Sequence, residues 1–372
     1  MRLSLSSVFG ARVTALVLVG LSLAASSQPS FAQPAKEELP TLDKVKADLE
    51  KISGGVSISG FFDVVATNPR NDPSIVSIGD FEIDFAKELG KNVQVGAAVV
   101  VNVDGARLAV AFVDFHLFGG LIAPRGKLPV EKGFHVQLGQ FDVPFGNDWQ
   151  YFASKDRAEA SAPLTTEVIM DGGYNATGLR ILGNTGSFNY SALALGGDGP
   201  GKVFGGRLGF TPLNKPYQLK PLTHVFEAGV SLLHDLDGDG ATRQTSFALD
   251  SELAAGLFRL RAEYLRKDTR AAEGSGERLV QWGWHVTAAL DAGEVAGISM
   301  TPYARYDTVT KDEGAGADAG RTERLTAGLN AVLFRLVTLK AEYQRILAAP
   351  PEVQAQDGFG SDTWLAQVVV VF

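Results

Sequence analysis

The chain has 372 residues with 42 acidic and 34 basic side chains, and its formal net charge at pH 7 is −8. It contains no cysteine, which excludes disulfide bonds, thiol chemistry and zinc–thiolate sites. The acidic balance argues against nucleic acid as a partner.

The first 32 residues have the pattern of a secretory signal peptide. Arg2 and Arg12 give a basic start, residues 13–25 form an apolar core, and residues 30–32 give a small-x-small cleavage pattern. The apolar core is too short to span a bilayer as a helix, which disfavours the alternative of an uncleaved anchor. Beyond residue 32 no stretch of 18 apolar residues occurs. We therefore expect an exported chain without a transmembrane helix.

Residues 33–55 are expected to form a periplasmic leader with a short helix. Leu42, Val45 and Leu49 share one face of a helical pattern, and Gly54-Gly55 ends it. This segment is either a small oligomerisation helix or a solvated leader to the first strand.

From Val56 to the end, the sequence consists of short alternating segments separated by turn residues. Tight hairpins are predicted at Leu89-Gly90-Lys91, Asn184-Thr185-Gly186 and Ala255-Gly256. The pattern predicts an all-β transmembrane antiparallel barrel of about 16 strands over residues 56–372. The predicted strands are 56–67, 75–86, 92–103, 107–118, 133–143, 175–183, 186–196, 202–212, 223–234, 241–253, 256–267, 277–290, 298–309, 322–334, 336–347 and 362–372.

The last predicted strand favours a closed barrel over a soluble β-sandwich. It alternates regularly and runs to Phe372, so it would be an exposed edge unless it paired with the first strand. Aromatic residues also sort to the two ends of the strands on one parity, as a membrane barrel requires. Tyr264, Trp282, Tyr306, Tyr343 and Trp364 fall near predicted outer ends, and Phe85, Phe115, Phe134, Phe258 and Phe372 near inner ends.

The opposite parity of the strands is expected to face the lumen. An Arg or Lys on the lipid face would cost about 2–4 kcal/mol near the midplane, so charged residues should point inward. These side chains would form either an ordinary hydrated wall or a selectivity wall with an acidic side facing a basic side. The predicted lumen residues are Arg180, Arg207, Arg259, Arg261, Arg305, Arg324, Lys340, Asp63, Asp80, Glu82, Asp84 and Asp114.

The long connection at residues 144–174 is the third outside loop in this topology. A barrel of this size leaves an aqueous channel unless something fills it, and a loop of this length is more often functional than free coil. We expect it to constrict the lumen through Asp148, Lys155, Arg157 and Glu159; the alternative is an extracellular flap.

The chain resembles Gram-negative outer-membrane porins in its strand count, its long third outside loop and its terminal Phe372. Residues 137–148, QLGQFDVPFGND, are similar to the segment before the constriction loop in the phosphate-selective porin O and P family. In that family arginines and lysines gather at the constriction and select anions; Lys155 and Arg157 here stand beside Asp148, Asp156 and Glu159. The resemblance implies passive diffusion without a cofactor, a homotrimer, and recognition of Phe372 by the barrel-assembly machinery.

Two other site types are weaker. The run at residues 235–240, DLDGDG, has the start of a calcium loop, but its twelfth position is Ser246 where a glutamate is needed. It is interpreted as an acidic outside hairpin, with loose divalent binding beside lipopolysaccharide as the alternative.

An outer-membrane enzyme is the rival functional class, yet neither a G-x-S-x-G nor an H-E-x-x-H motif occurs. Its histidines are His116, His135, His224, His234 and His285.

The sequence thus predicts an outer-membrane porin that admits small hydrophilic or charged solutes, anions among them. An outer-membrane enzyme and a closed adhesion or structural barrel remain the alternatives.

Overall fold

The computed structural model describes residues 54–70, 73–125, 132–196, 202–212, 225–236, 242–271, 278–312, 320–333, 336–350 and 361–372. The predicted signal peptide, the leader helix and most of the calcium-like run lie outside these residues. None of the helices in these ranges is long and apolar enough to cross a membrane.

Sixteen long antiparallel strands form one closed barrel in the described part of the chain, as the alternating pattern predicts. A two-residue strand, Glu294–Val295, adds a small pairing in the turn after the twelfth strand, which the pattern does not predict. The long strands are β1 (Ser57–Pro69), β2 (Ile75–Gly90), β3 (Val93–Asn102), β4 (Gly105–Phe118), β5 (Gly133–Asp142), β6 (Asn175–Asn184), β7 (Phe188–Gly196), β8 (Lys202–Phe210), β9 (Val225–Leu236), β10 (Thr242–Ala255), β11 (Phe258–Ala271), β12 (Arg278–Leu290), β13 (Ile298–Asp312), β14 (Gly320–Leu333), β15 (Val337–Ala348) and β16 (Thr363–Val371).

Pairing of β1 with β16 closes the barrel. The register runs from Phe61 opposite Val371 to Pro69 opposite Thr363. At the end of this seam, Gly60 and Phe372 exchange two backbone hydrogen bonds of 3.0 Å each. Closure leaves neither terminal strand as an open edge, which is the arrangement that a membrane permits. We call the end of the barrel where β1 finishes the outer end, and the opposite end the inner end.

The two faces of the wall differ in polarity as the alternation predicts. Along β9, Val230 and Leu232 point outward and are 41% and 50% exposed. Glu227 and Ser231, on the other parity, point into the lumen and are buried. An apolar outer face costs nothing in lipid, whereas inward polar groups find partners inside the protein.

Aromatic pairs lie on the outward face near the ends of strands. The rings of Tyr343 and Trp364 pack at a tilt with centroids 4.7 Å apart, and the ring of Phe372 stacks on that of Phe81 beside the seam with centroids 6.0 Å apart. Trp364 is 58% exposed, in keeping with a side chain at a membrane interface.

The predicted hairpins are present where the chain needs unusual backbone geometry. Gly186 and Gly256 have φ values of 101° and 61°, which favour glycine because it lacks a Cβ atom. They allow the abrupt turns between β6 and β7 and between β10 and β11.

The inner connection between β4 and β5 re-enters the lumen. Among its described residues, 119–125, Ile122 packs against inward apolar side chains of β3 and β4 that include Val100 and Phe112. The backbone of Ile122 also exchanges hydrogen bonds of 2.8 and 3.1 Å with the amide of Gln94. We call residues 119–125 the inner insert. It explains why the inward face of β3 carries Ala98 and Val100, since the insert covers this face.

We predict that Gly60→Ala weakens the barrel more than Gly90→Ala does. A Cβ atom at Gly60 would lie 2.6 Å from Cζ of Phe372, whereas one at Gly90 would meet no atom within 4 Å. Overpacking of this kind costs about 1–3 kcal/mol. The readout is the temperature at which the folded, fast-migrating band is lost on SDS gels, and equal midpoints for the two variants would contradict the prediction.

Candidate functional site

The third outer connection, residues 143–174, folds into the lumen. It contains a 3-10 turn, Asp148–Tyr151, and a π-helical turn, Thr165–Ile169. Trp149 and Leu164 are only 1% and 0% exposed. We call residues 143–174 the lumen loop. Its burial excludes the alternative of an extracellular flap.

The lumen loop begins with a turn that only glycine fits. Gly146 has a φ of 68°, and a Cβ atom there would lie 2.8 Å from Cδ of Glu263 on β11. This close approach lets the backbone N–H of Asn147 donate to Oε2 of Glu263 at 2.5 Å. The N–H of Gly146 donates to Oγ of Ser231 on β9 at 3.0 Å. Side chains of the wall therefore hold the start of the loop through the loop's backbone N–H groups.

Carboxylates of the wall accept hydrogen bonds from amides in the middle of the loop. Oε2 of Glu342 on β15 accepts from the N–H of Ala160 at 3.1 Å, and Oδ1 of Asp307 on β13 accepts from Leu164 at 3.1 Å. Glu342 also accepts the hydroxyl of Ser161 at 2.5 Å. A buried loop has no strand ladder to satisfy its backbone, so these contacts take the ladder's place.

Cations of the wall donate to carbonyl oxygens of the same stretch of loop. These cations are Arg305, Arg324 and Lys340, and each is at most 3% exposed. The contacts are Arg305 Nη1 to Ser161 O at 3.0 Å, Arg324 Nη2 to Ala162 O at 2.7 Å, and Lys340 Nζ to Ser154 O at 2.7 Å.

On the acidic side of the wall, two inserts from opposite ends of the barrel meet. Lys155 of the lumen loop places Nζ 2.6 Å from Oδ2 of Asp84 and 3.6 Å from Oε1 of Glu82. Arg125 of the inner insert donates to Oε2 of Glu82 at 2.5 Å and to Oδ2 of Asp142 at 2.8 Å. Glu82 thus joins the lumen loop to the inner insert.

The remaining predicted residues also lie on the lumen side, where each has a polar partner. Arg261 and Arg157 belong to the site around the loop, whereas Arg180, Arg207, Asp63, Asp80 and Asp114 bond to neighbouring parts of the wall, and Arg259 bonds to the turn after β12. The pairs are Arg261 with Glu159, Arg157 with Asp148, Arg180 with Gln137, Arg207 with Glu227 and Asp250, Arg259 with Asp291, Asp63 with Gln367, Asp80 with Asn102, and Asp114 with His116 and His135.

The predicted basic side of the lumen is not purely basic. Glu227, Asp250 and Glu342 are inward and buried among its arginines, and they are not among the predicted lumen residues. They lie on the lumen parity of their strands, so the alternation could have revealed them. Arg125 had no such signal, because it lies in a connection whose path depends on packing.

The ion pair between Arg261 and Glu159 has a strong electrostatic effect on the loop. Burial by itself would raise the pKa of Glu159, but the guanidinium groups of Arg261 and Arg305 outweigh it and lower the pKa to about 2. The lowered pKa favours the ionised form of Glu159, which pairs the loop with Arg261 of β11.

Comparisons with known proteins show the fold. No protein-family profile matches the chain, and no curated protein sequence matches it. Among solved structures, the trimer form of OmpT, an outer membrane protein of Vibrio cholerae, matches with a TM-score of 0.58 and 11% identity over 85% of this chain and 99% of that chain. An anion-selective porin from Comamonas acidovorans matches with a TM-score of 0.58 and 15% identity, again over 85% and 99% of the two chains.

A third similar structure is the outer membrane channel DcaP of Acinetobacter baumannii. It has a TM-score of 0.55 and 12% identity, and the match covers 85% of this chain and 97% of that chain. The protein therefore has the fold of outer-membrane porins and channels. At these identities the likeness concerns the fold alone.

We predict that Glu342→Ala loosens the middle of the lumen loop while the barrel remains folded. The backbone amides of Ala160 and Ser161 lose a charged acceptor, a loss that is worth about 1.5–3 kcal/mol. Hydrogen exchange at these amides should accelerate by roughly tenfold or more. Glu323→Ala is the matched control, because Glu323 bonds Tyr306 and not the loop. Equal exchange rates in the two variants would count against this anchoring.

We also predict how the Glu159 pair responds to pH. The lowered pKa means that its stabilisation is complete above the ordinary glutamate pKa of 4.5 and is lost as the pH falls toward about 2. The difference in unfolding temperature between the natural protein and Glu159→Gln should be constant from pH 8 to pH 5.5, since these values lie above 4.5, and should shrink below that pKa. A difference that changes near neutral pH would be inconsistent with this assignment.

Proposed function

We propose that this protein is a porin in the outer membrane of a Gram-negative bacterium, where small hydrophilic or charged solutes diffuse passively through its lumen. One observation carries the proposal: a closed barrel of sixteen long strands contains a lumen loop that is bonded to the wall on several sides. A loop held inside a wide barrel narrows it to a defined passage. The similar structures of an anion-selective porin and an outer membrane channel support the assignment as a porin.

The exposure of the ion pairs near the loop supports a preference for anions. In the pairs formed by Lys155, Arg125 and Arg261 the cation is more open to solvent than its carboxylate, whereas in the pair of Arg324 with Glu167 the carboxylate is the more exposed partner. The side chain of Lys155 is 17% exposed against 6% for Asp84, and that of Arg261 is 13% exposed against 2% for Glu159. Arg125 is likewise 13% exposed. Solutes in the passage would therefore meet cationic groups first, although the chain as a whole is acidic.

A closed barrel is the second candidate, and one observation favours it. The side chains of Arg207, Arg305 and Arg324 are each 1% exposed, so this part of the wall offers little surface to passing water. In our proposal, solutes pass on the side of the loop where Lys155 and Arg125 are partly exposed. Conductance distinguishes the two candidates directly.

We propose no catalytic role. Oγ1 of Thr165 lies 3.0 Å from Nδ1 of His285, which is the spacing of a nucleophile and its base. Thr165 is 0% exposed, however, so a substrate could not reach it.

We further propose that the protein forms a homotrimer embedded in lipid and lipopolysaccharide. We also propose that the barrel-assembly machinery recognises Phe372. The outward apolar face of the barrel and the trimer form of the Vibrio cholerae protein support this assembly. Light scattering of the detergent-solubilised protein measures the number of subunits.

The decisive experiment is planar-bilayer recording in a salt gradient. We predict discrete channels whose reversal potential reports a preference for anions, and a severalfold shift toward cations in Lys155→Met. The shift is expected because the variant leaves the carboxylates of Glu82 and Asp84 without this counter-charge. Lys91→Met, in an exposed inner turn, is the matched control and should behave as the natural protein.

Two results would overturn parts of the proposal. Absence of discrete channels from folded protein would exclude a porin and leave the closed barrel. Channels with an unchanged reversal potential in Lys155→Met would remove Lys155 from ion selection.

A further inference from the structure

A compact cluster of Asp114, His116 and His135 lies on the lumen face at the inner end of the wall. β4 and β5 pair so that His116 is directly opposite His135, and Asp114 is one inward position further along β4. Asp114 and His135 are 0% exposed, and His116 is 4% exposed. The three side chains offer ligand atoms that all lie within 4.8 Å of one another.

Both imidazole rings direct the same nitrogen at one carboxylate oxygen. Oδ2 of Asp114 lies 3.2 Å from Nδ1 of His116 and 2.9 Å from Nδ1 of His135. A tetrahedral ion with bonds of about 2.0–2.1 Å places neighbouring ligand atoms roughly 3.3 Å apart. The two spacings that involve Oδ2 of Asp114 are thus close to those between neighbouring ligands of one ion, and the third is within 4.8 Å.

Hydrogen bonding within the cluster leaves two buried atoms without partners. Oδ1 of Asp114 and Nε2 of His135 are both inaccessible to solvent and make no hydrogen bond in the described structure. Burial of a carboxylate with an unsatisfied oxygen is costly unless a positive charge compensates it. The cluster therefore has more ligand capacity than its own hydrogen bonds use.

Asp114 also differs from the two wall acids that bond to the inner insert. Glu82 and Asp142 pair with Arg125, whereas both ion pairs of Asp114 among the described residues are with histidines. Arg180, which lies on β6 on the far side of β5, donates to Gln137 and to the carbonyl of Asp142 instead. A bound cation would supply the charge that an arginine supplies elsewhere.

We propose that Asp114, His116 and His135 bind a divalent transition-metal ion of the zinc class. Two imidazoles and one carboxylate suit Zn²⁺ and similar ions better than Mg²⁺ or Ca²⁺, which prefer all-oxygen sites. A solvent molecule would complete the coordination. The ion would join β4 to β5. It would lie beside the inner insert, because a Cβ atom added at Gly119 would be 3.2 Å from Nε2 of His135.

The test is calorimetric titration of Zn²⁺ into the full chain, folded in detergent and stripped of metal with EDTA. We expect one site per chain that His116→Ala and His135→Ala each weaken by at least about 100-fold, the upper end of the cost of losing even a supporting group around a metal. His234→Ala is the matched control, since His234 bonds Thr245 near the outer end, and it should bind as the natural protein does.

Co²⁺ provides a second readout, because its visible spectrum reports tetrahedral coordination by nitrogen and oxygen. Asp114→Asn keeps the shape of the side chain and should still fold, as judged by band shift on SDS gels, but should lose the Co²⁺ bands. The proposal would be overturned if the natural protein did not bind Zn²⁺. It would also be overturned if the three ligand variants bound Zn²⁺ as tightly as the natural protein does. Neither readout depends on channel conductance, so this test fails or succeeds separately from the porin assignment.

Discussion

Every backbone polar group inside a membrane must find its partner within the protein, and this constraint governs both the wall and the lumen of the structure. In the wall the partners are neighbouring strands, and the pairing of β1 with β16 removes the last open edge. The lumen loop has no such ladder. Its amides and carbonyls bond instead to ionised side chains of the wall, such as Glu342 and Arg305. Backbone groups of the wall thus bond to the backbone of neighbouring strands, whereas those of the lumen loop bond to charged side chains.

The wall and the lumen loop depend on each other energetically. An inward arginine or carboxylate that is removed from water is costly unless it has partners. Arg305, Arg324 and Asp307 would lack several of theirs without the loop, and the buried loop would lack its own without them. This mutual satisfaction adds to an apolar cluster in which loop residues such as Phe145 and Leu164 pack with inward wall residues such as Leu265. Together they hold a long connection across the lumen. The loop's need for both acceptors and donors also explains why the inward faces of β13 and β15 carry acids as well as bases.

Glu82 connects the two segments that enter the lumen from opposite ends of the barrel. The lumen loop approaches this carboxylate through Lys155, and the inner insert approaches it through Arg125. The side chains of Lys155 and Arg125 are 17% and 13% exposed against 1% for Glu82, so the groups that face solvent at this point are positive. A chain with a net charge of −8 can therefore expose cationic groups inside its lumen. Net charge describes the whole molecule, whereas selection depends on the few groups that solutes meet.

Residue alternation and turn residues specify the strands, their lumen and lipid faces, and the loop that is long enough to cross the barrel. These features are local, since alternation with a period of two and turn residues such as Gly186 and Gly256 act within a few residues. The partners of the inward charges, in contrast, depend on how the chain folds. The approach of Arg125 to Glu82 and of His116 to His135 depends on register and on the path of a connection, which join residues distant along the chain. Alternation indicates which way a side chain points, but its partner is set by packing across the lumen, where many pairings satisfy the same charges.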